Sequence, residues 1–220
     1  IKASRIGGLL APLDLAKMPE TDKLDTYYVF KDKAGDALGV GAMAWFTAMV
    51  VNPGEVDPLP ASWAEFWDSG TYESSLGFSK NYNSQLLDII AATFFDGEAT
   101  FATKDGIMSL IEKAAELKPN VALWWSAESQ MEQAMKNGDV IGGQYYFDVA
   151  NLMKADGFPI APIFPKEGNP QDYGSWCLSA ISDKGAEAAE FMNFSSLPDT
   201  QKLMSLKIGT APLMPQATVG

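Results

Sequence analysis

The 220-residue sequence contains no histidine. That absence removes Ser-His-Asp and Cys-His catalysis, His-ligated zinc and imidazole acid–base chemistry together. There is one cysteine, Cys177, so an intrachain disulfide and a Cys-rich metal site are excluded. Basic residues are scarce, 16 Lys and Arg against 28 Asp and Glu, giving a formal net charge of −12. A surface this acidic repels phosphate backbones, which argues against a nucleic-acid partner. No apolar run reaches the roughly 18 residues that a membrane-spanning helix needs. No internal repeat and no low-complexity tract is found. What remains is an ordinary globular composition, 47% hydrophobic and 20% charged with 19 Gly and 13 Pro. It excludes disorder, collagen and coiled coil. The length suits one large domain or two modest ones. The first residue is Ile1, with no charged and apolar leader before it. Either a leader has been removed or the chain is a fragment.

Periodicity and punctuation divide the chain into alternating strands and helices. Leu38 to Asn52 is apolar throughout and stops at Asn52-Pro53-Gly54, which predicts one buried strand or two. Pro53 to Pro60 carries three prolines and reads as a linker. Ser62-Trp63-Ala64-Glu65 fits a capping box, opening a short helix that buries Trp63, Phe66 and Trp67. Leu76 to Ser79 is a short strand, followed by a helix burying Leu86, Leu87, Ile89, Ile90 and Phe94. The strand-to-helix junction between them leaves backbone N–H groups free for a polar ligand group. Thr103 caps a helix whose inner face is Ile107, Leu110, Ile111, Ala114 and Leu117. Val121 to Trp125 is a strand, and Ser126 opens a helix ending at Asn137-Gly138. Strands are expected over 140–147, 160–164 and 176–181. An Ala-rich helix runs from Asp183 to Phe194, and Pro198 begins a last helix capped by Ser196. Strands alternating with helices of this length mean α/β architecture.

These pieces, in this order, resemble the bacterial extracellular solute-binding proteins of ABC importers, specifically the spermidine/putrescine-binding group. The resemblance is carried by LLAPLDL (9–15), PASWAEFWD (60–68), LKPNVALWWSAESQMEQAMKNGDVIGG (117–143), FPIAPIFPKEG (158–168), AEAAEFMNFSSLPDTQKLM (186–204) and IGTAPLMPQA (208–217). It implies a two-lobed periplasmic-binding-protein-like (type II) fold, mixed sheets flanked by helices, with the first lobe incomplete. Residues 1–52 then belong to a partial first lobe and 53–175 to the second. Residues 176–220 form a hinge strand and the return to the first lobe, and 38–52 form the other crossing. It also implies a location in the periplasm or on the outer face of a bacterial envelope, the leader not being present in this chain. A membrane ABC permease is the implied partner, with capture of a small polar solute by hinge closure and no cofactor, metal or catalysis. An incomplete lobe exposes sheet edge and apolar surface, which leaves room for self-association.

Polyamine binders use carboxylates for the ammonium groups and aromatic walls for the methylene chain. The family's acidic pair after the strand 76–79 falls here on Asn81, Tyr82 and Gln85, all uncharged. The acid of the second crossing has no counterpart in Ser175-Trp176-Cys177-Leu178. The cleft aromatic is retained in type at Tyr145 or Tyr146. The resemblance thus gives Trp45, Asn81, Tyr82, Gln85, Trp125, Tyr145 and Trp176 as ligand-binding candidates. The replaced acids favour a neutral or zwitterionic ligand and argue against assuming spermidine, so the small polar solute stays open as polyamine, amino-acid-like or other. Each has a plain structural reading beside it. Asn81 and Gln85 serve equally well as helix caps, and one of the adjacent Trp124 and Trp125 must face the core. Asp148 reads as a solvated turn residue, Lys166-Glu167-Gly168 as a structural turn and Cys177 as a small buried hydrophobe. Two other functions share such a fold: the effector domain of a transcription regulator, and an enzyme working through carboxylates, lysine or Cys177.

Overall fold

The computed structural model describes residues 7–81 and 85–219. The chain forms two compact units, one from Ile1–Trp45 with Asp172–Gly220, the other from Phe46–Gln171.

The first unit opens with three single-turn 3-10 helices, Leu15–Lys17, Pro19–Lys23 and Thr26–Tyr28, leading into strand β1 (Val29–Lys31). A tight turn follows, in which the Asp32 carboxylate accepts from the Ala34 and Asp36 amides. Strand β2 (Ala37–Val51) then pairs antiparallel with β1, Val29 opposite Val40. Its 15 residues carry no charge and are buried along most of their length, so the apolar run is one long strand. Its first part belongs to the first unit and its last part, from Phe46, to the second. The Asn52 side chain ends it by accepting from the Gly54 amide.

The second unit continues with a 3-10 helix, Trp63–Trp67, whose capping box is formed by Ser62 and Glu65 as the sequence predicts. After it come α1 (Ser69–Tyr72), β3 (Leu76–Ser79) and α2 (Leu86–Phe94). Next are α3 (Lys104–Glu116), capped by the Thr103 hydroxyl, and β4 (Val121–Trp125). Then follow α4 (Glu128–Asn137), β5 (Gly142–Tyr146), α5 (Phe147–Ala155) and β6 (Ala161–Ile163). The strand order is β2-β5-β3-β4, with β5, β3 and β4 parallel and β2 antiparallel to both β5 and β6. One core cluster joins Trp63, Phe66, Leu76 and Phe78 to Ile89 and Ile90 of α2 and Leu110 of α3. A second joins Trp125 and Tyr145 to Met131 and Met135 of α4 and Ala150 and Met153 of α5. Helices therefore cover both faces of a mixed sheet, and each large side chain so buried contributes about 1.5–3 kcal/mol.

Four expectations about elements change here. The helix α5 starts directly on the end of β5, with no side-chain cap at Tyr146 to announce it. The helix expected from Ser126 begins at Glu128, because the Gln130 side chain reaches back to accept from the Ser126 and Ala127 amides. On α3 only Leu110 of the helix, with Leu117 just beyond it, is fully buried, while Ile107 and Ile111 are exposed at 38% and 46%. That helix touches the unit along a narrow stripe instead of a broad face. The last strand, β7, lies at Gln171–Trp176 and not at 176–181. Beyond Trp176 only an isolated bridge among the described residues, Ser179 with Leu10, continues the pairing, and Ile181 is 96% exposed.

The chain then returns to the first unit, where β7 pairs with β2. Helices α6 (Gly185–Ser195), α7 (Pro198–Ile208) and α8 (Gln216–Val219) complete the described residues. Ser196 ends α6, and Leu197 precedes Pro198 as the cap position of α7. The core here is Met18, Leu24, Val40, Ala44, Met192 and Leu213. Gln201, 1% exposed, ties it together by donating to the Ser195 carbonyl and accepting from the Leu213 amide. Cys177, expected to be buried, is exposed.

Candidate functional site

The connections in the second unit fix where a ligand can sit. From β3 the chain crosses through α2 and α3 to β4, then returns through α4 to β5 on the other side of β3. The strand order reverses between β3 and β5, and in open α/β sheets a crevice opens beyond the carboxyl ends of the strands at such a point. The residues delivered there are Ser79, Lys80 and Asn81 from β3 and Tyr146, Phe147 and Asp148 from β5. Antiparallel β2 adds Thr47, which lies opposite Tyr146. The two parallel strands meet closely: a Cβ on Gly143 would stand 1.9 Å from the Gly77 carbonyl oxygen.

Polar groups at this edge are buried and ordered. Thr47, Ser79 and Gln144 are 3%, 3% and 1% exposed. The Gln144 side-chain Oε1 accepts from the Ser79 amide at 3.3 Å. The Thr47 hydroxyl donates to Gln85 Oε1 at 2.5 Å. Gln85 precedes α2 in the left-handed region, at φ 59°, which non-glycine residues seldom adopt. Asn81 donates from its backbone to the Ser79 hydroxyl and from its side chain to the Ser126 carbonyl, so it links the ends of β3 and β4.

The edge carries one carboxylate with an unmet demand. Asp148 lies in the first turn of α5, and its Oδ1 is buried with no hydrogen-bond partner. Burial pushes its carboxyl above the usual carboxylate range, while the backbone N–H groups of Asp148 and Val149 act in the opposite direction. Among the described residues no Lys or Arg forms an ion pair with it. Beside it in sequence, Phe147 meets Phe164 edge-on at 5.1 Å, and Phe164 meets Phe46 at 5.3 Å. Phe164 is 51% exposed, so this aromatic group offers surface to solvent.

The predicted site residues separate on this map. Asn81 and Gln85 stand at the edge, and both are engaged as structural partners there. Tyr82 lies outside the described residues. Trp125 and Tyr145 are core residues, 2% and 0% exposed, with their rings 6.0 Å apart. The Tyr145 hydroxyl donates to the Glu128 carbonyl, and burial raises its phenol. Trp45 and Trp176 belong to the first unit. Trp45 is half-buried beside Gly174, and Trp176 is half-buried with its ring 5.0 Å from Phe191. Thr47, Gln144, Asp148 and the Phe46, Phe147 and Phe164 group are not anticipated. Asp148 had a local sign, an acid directly after strand-ending aromatics, but reads from sequence as a turn residue.

A model of the family described as bacterial extracellular solute-binding protein matches residues 4–218. The chain belongs to that family. The gamma-aminobutyric acid-binding protein of Pseudomonas aeruginosa is 28% identical over 178 residues, covering 80% of this chain and 50% of that protein. The spermidine/putrescine-binding periplasmic protein of Salmonella typhimurium is 25% identical over 205 residues, covering 92% of this chain and 57% of that one. The chain thus spans about half the length of these relatives. A crystal structure of an ABC transporter substrate-binding protein from Bradyrhizobium japonicum superposes with a TM-score of 0.79 at 20% identity, over 98% of this chain and 64% of that one. That likeness is one of fold, and the α/β arrangement resembles the periplasmic-binding-protein fold.

A separate pocket of about 240 Å³ in the second unit lies between Trp63, Asp88, Ile89 and Ala92 and the turn Glu167–Pro170. Glu167, with its side chain 8% exposed, accepts from the Ser62 hydroxyl at 2.6 Å and the Trp63 amide at 3.3 Å. These bonds join the SWAEFWD and PKEG motifs in space. No group of three or more potential metal ligands occurs among the described residues.

Proposed function

We propose that the chain is part of the solute-binding component of an ABC importer, acting at the periplasmic or outer face of the envelope and delivering its solute to a membrane permease. In this reading the two units are parts of the two lobes of a type II binding protein. The carboxyl edge of the second unit is one wall of the site, and ligand contacts shared between lobes favour a closed state. No bond is made or broken.

The solute in this reading is small, polar and amino-acid-like, with one ammonium group. The observation that carries it is Asp148, the carboxylate at the edge with a buried and unpartnered oxygen. An ammonium leaving water needs such an acceptor, and one acid suits one ammonium. A diamine needs acids at both ends, whereas Asn81 and Gln85 are uncharged amides. The exposed Phe164 ring suits a short methylene chain. The relative named for gamma-aminobutyric acid binds a molecule of this kind, which supports the assignment.

A calorimetric titration of the protein with linear ω-amino acids, diamines, sugars and dicarboxylates tests it. An ω-amino acid should bind best. Preference for a sugar or a dicarboxylate would overturn the reading.

A further inference from the structure

We infer that the pocket between α2 and the turn Glu167–Pro170 is a second binding site, for a small primary alkylammonium. It lies wholly in the second unit, and Asp88 and Ala92 set it about one and two turns along α2 from Gln85. The inference does not depend on what the crevice accepts. A volume of about 240 Å³ falls below the roughly 300–1,000 Å³ of sites for drug-sized molecules, so the occupant is small. The wall divides by chemistry. Ile89, Ala92 and Pro170 are apolar and suit a short carbon chain, while the side chains of Asp88, Glu167 and Asn169 carry oxygen acceptors. The side-chain donors of the wall are already engaged, Trp63 Nε1 with the Gly168 carbonyl at 3.1 Å and Asn169 Nδ2 with the Ile163 carbonyl at 3.0 Å.

The negative charge of this wall is not met by the protein. Glu167 has a side chain only 8% exposed, and its hydrogen bonds come from two neutral groups, the Ser62 hydroxyl at 2.6 Å and the Trp63 amide at 3.3 Å. Lys166 approaches it at 3.8 Å, but that lysine is 75% exposed and water screens the pair. Asp88 forms no ion pair among the described residues. Burial pushes its carboxyl up, its own backbone N–H opposes this, and repulsion from Glu98 adds to the rise. Asn169 Oδ1 is buried with no hydrogen-bond partner. Carboxylates drawn out of water are costly until a cation or donors meet them. An ammonium brings one positive charge and three donors to two carboxylates and an amide oxygen. Its carbon chain then covers Ile89 and Ala92. The apolar half of the wall separates this occupant from a metal ion, which takes oxygen ligands on all sides.

Site-resolved nuclear magnetic resonance tests this. The backbone amide signals of Ala92, Gly168 and Asn169 are followed in isotopically labelled protein, at constant ionic strength, during titration with n-butylammonium chloride. They should shift to saturation with a Kd of about 5 mM, the weak affinity expected of so few atoms. n-Butanol has the same chain without the charge and should bind at least about tenfold more weakly. Asp88→Asn should weaken the amine by about fivefold to tenfold. Ala92→Leu, at an exposed helix position that a good helix former suits, should fill the pocket and abolish the saturable shift. An Asp88→Asn affinity within about twofold of wild type would overturn the inference. So would equal binding of n-butanol, retained binding in Ala92→Leu, shifts confined to the ends of β3 and β5, or no shift up to about 50 mM. Tighter binding of Nα-acetyl-lysine amide than of n-butylammonium would mark the pocket as the seat of a partner's lysine and overturn the free amine as its occupant. A protein that binds n-butylammonium here and no ω-amino acid at the crevice would keep this inference and lose the proposed solute class.

Discussion

Asp148 concentrates the conflict between stability and binding in one side chain. Its oxygen is buried without a partner, so the charged form destabilises the free protein, and in the proposed reading an arriving ammonium relieves it. The carboxyl is raised above its ordinary value of 3.8. The native state therefore holds its proton to higher pH than the unfolded state does. Stability should fall as pH rises from that ordinary value through the raised one, and stay lower above it. Asp148→Asn should thus stabilise the free protein at neutral pH. The group is only half-buried, so solvent screening limits the gain to a few tenths of a kcal/mol, about 1 °C in melting temperature. The gain should vanish in acid, where Asp148 is itself neutral. The same variant should weaken binding of an ω-amino acid about 10–100-fold, the cost of removing one partner of a charged pair. Thermal melts across pH and calorimetry at neutral pH read the two effects separately. Unchanged affinity in the variant would remove Asp148 from the site. None of this is legible from neighbouring residues, because an acid two positions past a strand is usually solvated. Its burial comes from the direct passage of β5 into α5.

At the scale of elements, the legible features are those with a local chemical cause. The Ser62 and Thr103 caps follow from side chains acting on their own backbone, the strand 76–79 from a short apolar run, and the Gly138 stop from glycine's ease in the left-handed region. The strand Gln171–Trp176 is not legible, since its Gly174-Ser175 centre has little strand preference and its pairing with β2 is non-local. The aromatic group of Phe46, Phe147 and Phe164 is assembled from three separate segments, so no window of sequence contains it. Tertiary capping has the same character and can be measured. Glu167→Ala should cost about 2 kcal/mol in urea unfolding, by stranding the Ser62 hydroxyl and Trp63 amide it accepts from. Ser62→Ala should cost about 1 kcal/mol. The double variant should fall short of the sum by at least about 0.5 kcal/mol, as partners in one network do. Strict additivity would show that the contact between the two motifs is energetically idle. Gly143→Ala probes the switch point itself. Its Cβ would stand 1.9 Å from the Gly77 carbonyl at φ 143°, so β3 and β5 would have to separate. The variant should lose several kcal/mol or fail to fold; a melting temperature near that of the wild type would mean the two strands can move apart cheaply.

At the scale of the molecule, the absence of histidine and the net charge of −12 bear on function in different ways. In the proposed role of capturing and releasing a solute no proton shuttle is needed, so the missing imidazoles would cost nothing. The charge raises a sharper question, since an acidic surface attracts cations whatever the site prefers. Long-range attraction acts on the net charge of a solute, while the site acts on its local groups. A zwitterionic ω-amino acid has no net charge and should gain little from the field, whereas a diamine of equal length carries two positive charges and should gain much. Salt separates the two contributions, because the Debye length falls from about 10 Å at 0.1 M to 3 Å at 1 M. Raising sodium chloride across that range should leave the amino-acid affinity within about twofold and weaken the diamine by about tenfold or more, widening the preference for the amino acid. A steep salt dependence for the amino acid would mean that overall charge governs its binding more than the acceptor at Asp148 does. The specificity would then have to be sought in the surface of the molecule instead of in its crevice.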